Sequence, residues 1–175
     1  MRVAVACVTL ASSLLYLASE AMELVAGGFS STQLLSTYVA FALVPFVVLG
    51  LHSLQHAGAD WTSLVGATAY GLAYVFYAGT AMYALAAKTT DYAALVHELG
   101  GLYVLHGALM VAGGLLFGTA VIRSRVFPWW TGLALLVGTG LALVLNLLEL
   151  PASAQVLPSV IRTAAFVGMA VAALR

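Results

Sequence analysis

Charged residues are scarce in this sequence. Asp, Glu, Lys and Arg together make up 7% of its 175 residues, whereas a soluble domain carries roughly a quarter. Hydrophobic residues make up 63%, and the mean hydropathy is +1.09. This shortage of charge excludes an ordinary soluble domain. It predicts a multi-pass protein of the cell membrane, with the lipid bilayer as its first partner.

Basic residues and cysteine are also too few for several classes of function. The six Lys and Arg residues are scattered along the chain, so no nucleic-acid partner is expected. Cys7 is the sole cysteine, which excludes an intrachain disulfide and a cysteine-based zinc or iron–sulfur site. Lys88 is the sole lysine and lies in a predicted loop, so the bundle offers no Schiff-base site for retinal.

Apolar runs account for nearly all of the chain. Each is long enough to cross roughly 30 Å of hydrocarbon as a helix, and none shows the alternation of a barrel strand. We therefore predict an all-α polytopic bundle of about six transmembrane helices in a single domain, residues 1–175. The runs are approximately Val3 to Ala26, Gln33 to Leu51, Trp61 to Ala87, Ala93 to Ile122, Pro128 to Leu150 and Val156 to Leu174.

The positions of the basic residues predict the orientation of the bundle. Loops rich in Lys and Arg stay in the cytoplasm. With the N-terminus inside, Arg2, Arg123, Arg125 and Arg175 are cytoplasmic, and the external loops contain Lys88. We therefore expect both the N-terminus and the C-terminus to be cytoplasmic.

Glycines recur on several spans, and two of them, Gly114 and Gly118, have the GxxxG spacing. Small residues allow helices to approach closely. We expect them to pack helices within the bundle, and a homo-oligomer formed through glycine-rich helix faces is the alternative.

Arg162 lies inside the last predicted span, close to Pro158, a residue that favours the first turn of a helix. A charge within a span costs roughly 2.5 to 3.5 kcal/mol, and a helix N-terminus disfavours a cation. A carboxylate partner is therefore expected, either to fasten helices or to complete a ligand site. The candidates are Glu149, the nearest in sequence, and Glu98, Glu20 and Glu23.

Glu20 and Glu23 are three residues apart and share one face of a helix end. If buried, such a pair supplies a proton donor beside an acceptor, and if exposed, it is a pair of solvated charges. Asn146 lies deeper on the fifth span, where an amide usually bonds across to another helix.

Glu98 and His106 are eight residues apart, within 80° of each other on one continuous helix. They are predicted to share a pocket, in which His106 would relay a proton or contact a ligand. Tyr77 belongs with Tyr70 and Tyr74 to a stripe at helical spacing that either lines a cavity or packs helices.

His52 and His56 have the four-residue spacing that places two imidazoles on one helical face, with Asp60 a turn further. Without a clear third ligand they are a weak candidate metal site. No cofactor is predicted, although a metal or a haem is not excluded.

The segment from Gly113 to Gly118, with Arg123 and then Phe127-Pro128-Trp129-Trp130-Thr131-Gly132, resembles a pattern in small multispanning bacterial proteins. The resemblance covers about twenty residues. It implies a protein of the bacterial inner membrane and transfers no catalytic role.

The rare polar residues gather at the external ends of the predicted spans. This pattern favours an outward-side intramembrane pocket for a small lipophilic or amphipathic molecule, contacted by Arg162, Asn146, Glu20, Glu23 and Tyr77. Whether the protein is an enzyme stays open; acid–base isomerase or cyclase chemistry would use Glu98, His106 and Glu149. The alternatives are a non-catalytic structural or accessory subunit and a metal- or haem-binding membrane protein.

Overall fold

A computed structural model describes residues 1–55, 60–148 and 156–175. Within these ranges the chain forms helices and no strand, in agreement with the predicted all-α class. The helices are α1 (Arg2–Ala26), α2 (Ser31–Leu54), α3 (Trp61–Ala87), α4 (Tyr92–Leu99), α5 (Gly101–Ser124), α6 (Trp129–Leu147) and α7 (Val156–Ala173).

The six long helices close into a ring. Each of α1, α2, α3, α5 and α6 packs against the next long helix in the chain, and α7 returns to pack against α1. Each of these helices packs antiparallel to the next long helix. The molecule therefore has a basic end, where α1, α3 and α6 begin, and an acidic end, where α2, α5 and α7 begin.

Contacts at the helix ends support this arrangement. At the basic end, Arg123 in the last turn of α5 lies 3.8 Å from the carboxylate of Asp60, which precedes α3. At the acidic end, the Phe29 N–H donates to the Thr90 carbonyl at 2.9 Å and so joins the α1–α2 and α3–α4 connections.

The outer surface of the ring is apolar, and polar side chains lie inside. Each long helix exposes large hydrophobic side chains, exemplified by Leu14, Phe46, Leu72, Leu105, Val137 and Val160. Buried polar residues include Ser12, Gln33, Thr80, Thr139 and Thr163. A protein folded in water has the reverse distribution, so the surface of this ring suits lipid.

Five of the helices, α1, α2, α5, α6 and α7, are long and apolar enough to cross a membrane. The expected third span is not among them. Although α3 has 27 residues, its tyrosines, glycines and threonines lower its apolar character. Many of these residues are buried between α2 and α5, where they do not face lipid.

The expected fourth span is two helices, so the prediction of one continuous run was wrong. Gly100 separates α4 from α5 with φ 50° and ψ −126°, a conformation that L side chains rarely adopt. Asp91 caps the start of α4 by accepting a hydrogen bond from the Ala94 N–H at 2.9 Å.

Glycines bring neighbouring helices into backbone contact at several positions. A Cβ on Gly113 of α5 would lie 2.4 Å from the Tyr70 nitrogen of α3, and one on Gly66 would lie 2.5 Å from the Phe117 nitrogen. Gly114 and Gly118, the pair with GxxxG spacing, face Thr139 and Leu136 of α6. Gly140, by contrast, has no such neighbour within 4 Å.

Candidate functional site

The Arg162 guanidinium lies in the interior of the ring. Arg162 is 8% exposed and belongs to α7. It lies six residues, or about 9 Å, along the helix axis from Val156. Its partner Tyr74 is 13 residues from either end of α3, which places the site about 20 Å from both ends of that helix. Pro158 lies in the first turn of α7, as predicted.

Arg162 makes three hydrogen-bond contacts, and the two to oxygen are long. Nη1 donates to the Tyr74 hydroxyl at 3.4 Å and to the Met110 sulfur at 3.3 Å, and Nη2 donates to the Ser159 hydroxyl at 3.5 Å. Well-formed N–H···O bonds are about 2.7 to 3.2 Å long. Nε is buried without a hydrogen-bond partner. These contacts join α7 to α3 and α5 without neutralising the charge.

The expected carboxylate partner is not in place among the residues that the structure describes. None of their carboxylate oxygens lies within 4.0 Å of the guanidinium. Glu20 is close enough to interact with Arg162 electrostatically. Glu149, the first candidate from the sequence, lies outside the described residues.

Aromatic rings surround the guanidinium. Tyr70 and Tyr74 of α3 have centroids 4.9 Å apart, Tyr74 meets Phe41 of α2 edge-on at 5.1 Å, and Phe166 of α7 lies 6.1 Å from Tyr70. The aromatic stripe of α3 is therefore buried and faces inward. Tyr77, the third member, is 7% exposed and continues the cluster toward Tyr103.

A cavity of about 30 Å³ lies between α1, α2, α3 and α7. Its wall includes Ser12, Tyr16, Phe41, Tyr70, Tyr74 and Arg162. One water needs roughly 10 to 15 Å³ on this measure, so the space admits a group of only a few atoms.

Tyr16 connects the acidic end of α1 to this cavity. Its hydroxyl is 2.8 Å from the Ser159 hydroxyl, which in turn contacts Arg162. Tyr16 was not among the residues predicted from the sequence. The four-residue spacing of Tyr16 and Glu20, which places both on one helical face, was the available signal.

Glu20 and Glu23 are both partly buried but face different partners. The Gln33 amide donates to Glu23 at 3.2 Å and to the Thr37 hydroxyl at 3.1 Å. Glu23 therefore joins α1 to α2, while Glu20 is the acid on the Arg162 side.

Glu98 and His106 lie on different helices, because Gly100 separates α4 from α5. The Thr89 hydroxyl donates to Glu98 at 3.2 Å. His106 bonds through Nδ1 to the Leu102 carbonyl at 2.8 Å and stacks on Phe76 at 3.8 Å. None of the contacts in the described ranges joins these two residues to each other or to Arg162.

Asn146 is exposed, and its amide donates to the Ala142 carbonyl of its own helix at 2.7 Å. Among the described residues, Asn146 makes none of the hydrogen bonds to another helix that were expected for such an amide. The geometry therefore does not bring Asn146 to the cavity.

The histidine pair can be assessed for one member, because His56 lies outside the described residues. His52 Nδ1 is 2.8 Å from the Ser63 hydroxyl and so joins α2 to α3. Within the described ranges, no group of three or more His, Cys, Asp or Glu residues is arranged to hold a metal ion.

Two aspartates at the ends of the ring have shifted pKa values. Hydrogen bonds from the Thr62 hydroxyl and the Ser63 N–H lower the pKa of Asp60, the N-cap of α3. The Ala94 N–H and the Thr90 hydroxyl lower the pKa of Asp91 in the same way. Both carboxylates act as helix caps.

Comparison with known proteins assigns this chain to no family. No protein-family model, curated protein or solved structure matches the chain. The functional conclusion must therefore come from the arrangement around Arg162.

Proposed function

We propose that this chain is a multi-pass membrane protein that binds the polar group of a small amphipathic molecule at Arg162, inside its helix ring. The observation that carries the proposal is a buried cation without a carboxylate within 4.0 Å among the described residues. Buried charges in proteins are usually paired, because desolvation costs several kcal/mol per ion. An acceptor on a bound molecule would satisfy Nε and add to the long oxygen contacts of Nη1 and Nη2.

The chemistry of the site favours an acidic group. The guanidinium supplies a fork of donors that matches a carboxylate or phosphate. The remaining wall combines aromatic rings with hydroxyl-bearing and aliphatic side chains. The cavity accepts a few atoms, so the apolar part of the molecule would lie outside it.

The apolar exterior supports a membrane location, and the distribution of charge supports the orientation. We propose that α3 is a sixth crossing, because its position in the ring between α2 and α5 makes it parallel to helices that have the character of spans. Arg2, Arg123, Arg125 and Arg175 share the basic end, which would be cytoplasmic. The side of the site nearest Glu20 then lies in the external half of the membrane.

Acid–base chemistry on the bound molecule would use side chains different from those first considered. Tyr16 and Glu20 lie beside Arg162, whereas Glu98 and His106 are bonded elsewhere. The binding proposal therefore does not depend on catalysis, which would be an additional activity of the same site.

A structural role for Arg162 is the second candidate, favoured by its contacts with both α3 and α5. Gly138 of α6 also packs on this side chain, since a Cβ there would lie 2.7 Å from Arg162 Cγ. In this case the guanidinium would fasten helices without any bound molecule.

The test is retention of an amphipathic acid by purified protein. Dodecanoate and dodecyl phosphate are added in a mild neutral detergent, and bound mass is measured by native mass spectrometry. Arg162→Gln should abolish binding, and Arg162→Lys should restore part of it. Arg123→Gln, which removes an exposed arginine at the basic end, is the matched control and should bind normally.

Undiminished binding to folded Arg162→Gln protein would overturn the proposal. If Arg162→Gln does not fold, Tyr74→Phe replaces it, because this change removes one partner of the guanidinium and no charge. Lower thermal stability of Arg162→Gln with no acid bound by the unmodified protein would favour the structural role.

A further inference from the structure

Two further hydroxyl residues, Ser13 of α1 and Thr163 of α7, lie in the wall of the cavity beside Arg162. They are 6% and 3% exposed. Within residues 1–55, 60–148 and 156–175, neither hydroxyl makes a hydrogen bond. Buried hydroxyls are usually hydrogen-bonded, because burial without a partner is costly. These two side chains are therefore exceptions that the fold itself does not explain.

Ser13 and Thr163 lie one turn beyond the hydrogen bond between Tyr16 and Ser159. That bond joins α1 to α7 at 2.8 Å. The two helices are antiparallel, so a step of three residues back along α1 and four residues forward along α7 leads from this pair to Ser13 and Thr163. The next layer of the α1–α7 contact thus consists of two hydroxyls that do not bond each other, and both line the cavity.

The remaining hydroxyls of the cavity wall all have partners. They belong to Ser12, Tyr16, Tyr70 and Tyr74. Arg162 Nε, by contrast, is buried without one. Three groups without a partner therefore belong to residues around one cavity, and each of the three can donate a hydrogen bond. Such a set of donors suits an anion.

The size of the cavity limits which anion it can hold. The space is about 30 Å³, and one water needs roughly 10 to 15 Å³ on this measure. It therefore has room for two groups of the size of an oxygen atom. A carboxylate has two oxygens, whereas a phosphate monoester has three terminal oxygens around its phosphorus. The cavity thus matches a carboxylate more closely.

We propose that Ser13 and Thr163 bind the head group of the acid together with Arg162, and that this site selects carboxylates over phosphates. The inference rests on the proposed function and adds two binding residues and the class of acid. The hydroxyls would donate to the carboxylate oxygens, while the guanidinium would neutralise the charge.

Removal of the two hydroxyls tests their role in binding. Ser13→Ala and Thr163→Val are made separately in the full chain, and the affinity for dodecanoate in a mild neutral detergent is measured by native mass spectrometry. Each change should lower the affinity roughly ten- to hundredfold, because each removes a hydrogen bond to a charged group. Thr163→Ser retains the hydroxyl and should restore most of the affinity. The unmodified protein should bind dodecanoate more tightly than dodecyl phosphate.

Thermal unfolding without any acid provides a second measurement. Because the two hydroxyls have no partner in the described fold, Ser13→Ala and Thr163→Val should leave the thermal midpoint unchanged or raise it. Ser36→Ala and Thr119→Val are the matched controls, since these exposed hydroxyls bond to carbonyls of their own helices. Both controls should bind dodecanoate normally.

Normal affinity of Ser13→Ala and Thr163→Val would overturn the inference, and the proposed function would stand if Arg162→Gln still abolishes binding. Lower thermal midpoints with unchanged affinity would show that the hydroxyls hold ordered water in the fold, which would also overturn it. Tighter binding of dodecyl phosphate than of dodecanoate would overturn the selection for carboxylates. Binding of neither acid by the unmodified protein would end the proposed function and the inference together.

Discussion

At the scale of single residues, the chain treats polar groups in two ways. Ser12, Thr9 and Asn146 bond to backbone carbonyls and satisfy themselves locally or on a neighbouring helix. Arg162 instead retains an unpartnered Nε within a cage of phenols. In a low-dielectric interior, an unpartnered donor on a charged group is costly, which is the basis of the proposed binding role of Arg162.

Tyr16→Phe tests the link between α1 and α7. The change removes the hydroxyl that bonds Ser159 at 2.8 Å and preserves the ring. A buried hydrogen bond of this kind contributes about 1 kcal/mol, so the unfolding free energy should fall by that amount. Reversible unfolding in mixed detergent micelles measures it. Tyr38→Phe, at a position 38% exposed, is the control and should be neutral; equal loss in both variants would contradict the link.

Asp91 predicts a dependence of stability on pH. Its pKa is lowered by hydrogen bonds to the folded carboxylate, so its contribution is fully present above the unfolded value of about 3.9. The contribution is lost as pH falls through the folded pKa. The gap in thermal midpoint between the unmodified protein and Asp91→Ala should therefore narrow from pH 6 to pH 3. A gap that widens on acidification would show that the cap acts through another group.

At the scale of helices, glycine serves two purposes: close contact between neighbouring helices and a break between consecutive helices. The contact glycines lie where a neighbouring backbone leaves no room for a Cβ, and Gly79 and Gly140 have open space instead. Gly100 serves the second purpose, since its positive φ separates α4 from α5. Substitution of a contact glycine and of a glycine with open space should therefore have opposite effects on stability.

Gly113→Ala should loosen the α3–α5 contact. The new Cβ would lie 2.4 Å from the Tyr70 backbone nitrogen, which no side-chain rotation relieves. Overpacking of this kind costs about 1 to 3 kcal/mol. Gly79→Ala meets no atom within 4 Å and should be neutral or slightly stabilising. Thermal unfolding in detergent compares the two, and indistinguishable midpoints would refute the contact.

Gly100→Ala should destabilise the break between α4 and α5. Alanine is strained at φ 50° and ψ −126°, at a cost of roughly 1 to 3 kcal/mol. Gly101→Ala, one residue later and without a positive φ, is the control and should change little. Proteolysis of the α3–α4 connection and thermal unfolding should both report the difference; a fully tolerated Gly100→Ala would mean that α4 and α5 join as one helix.

The sequence was sufficient to predict most helix positions, because apolar runs and turn residues mark them directly. The break at Gly100 was not predicted, although the Gly100-Gly101 pair within the apolar run was an available signal. Burial of Arg162 follows from its position near Pro158, but its partners do not. Tyr74 and Met110 come from helices 88 and 52 residues away and become neighbours through ring closure.

At the scale of the whole molecule, orientation is the property that can be measured without a ligand. Cys7→Ser provides a background into which single cysteines are introduced at Lys88 and Arg125, on opposite ends of the ring. A membrane-impermeant maleimide added to intact cells should label Lys88→Cys and not Arg125→Cys. Labelling of Arg125→Cys alone would reverse the orientation and place the Glu20 side of the site in the cytoplasm.

Ring closure also determines when the polar interior becomes enclosed during synthesis. The inner face of α1, with Ser12 and Tyr16, is covered in the mature protein partly by α7. Because α7 is translated after the other five long helices, these hydroxyls leave the ribosome long before Ser159 and Arg162 arrive. Until α7 is made, the hydroxyls of Ser12 and Tyr16 in the nascent chain therefore reach the translocon without their partners on α7. The helix that finally covers them also brings in the buried cation.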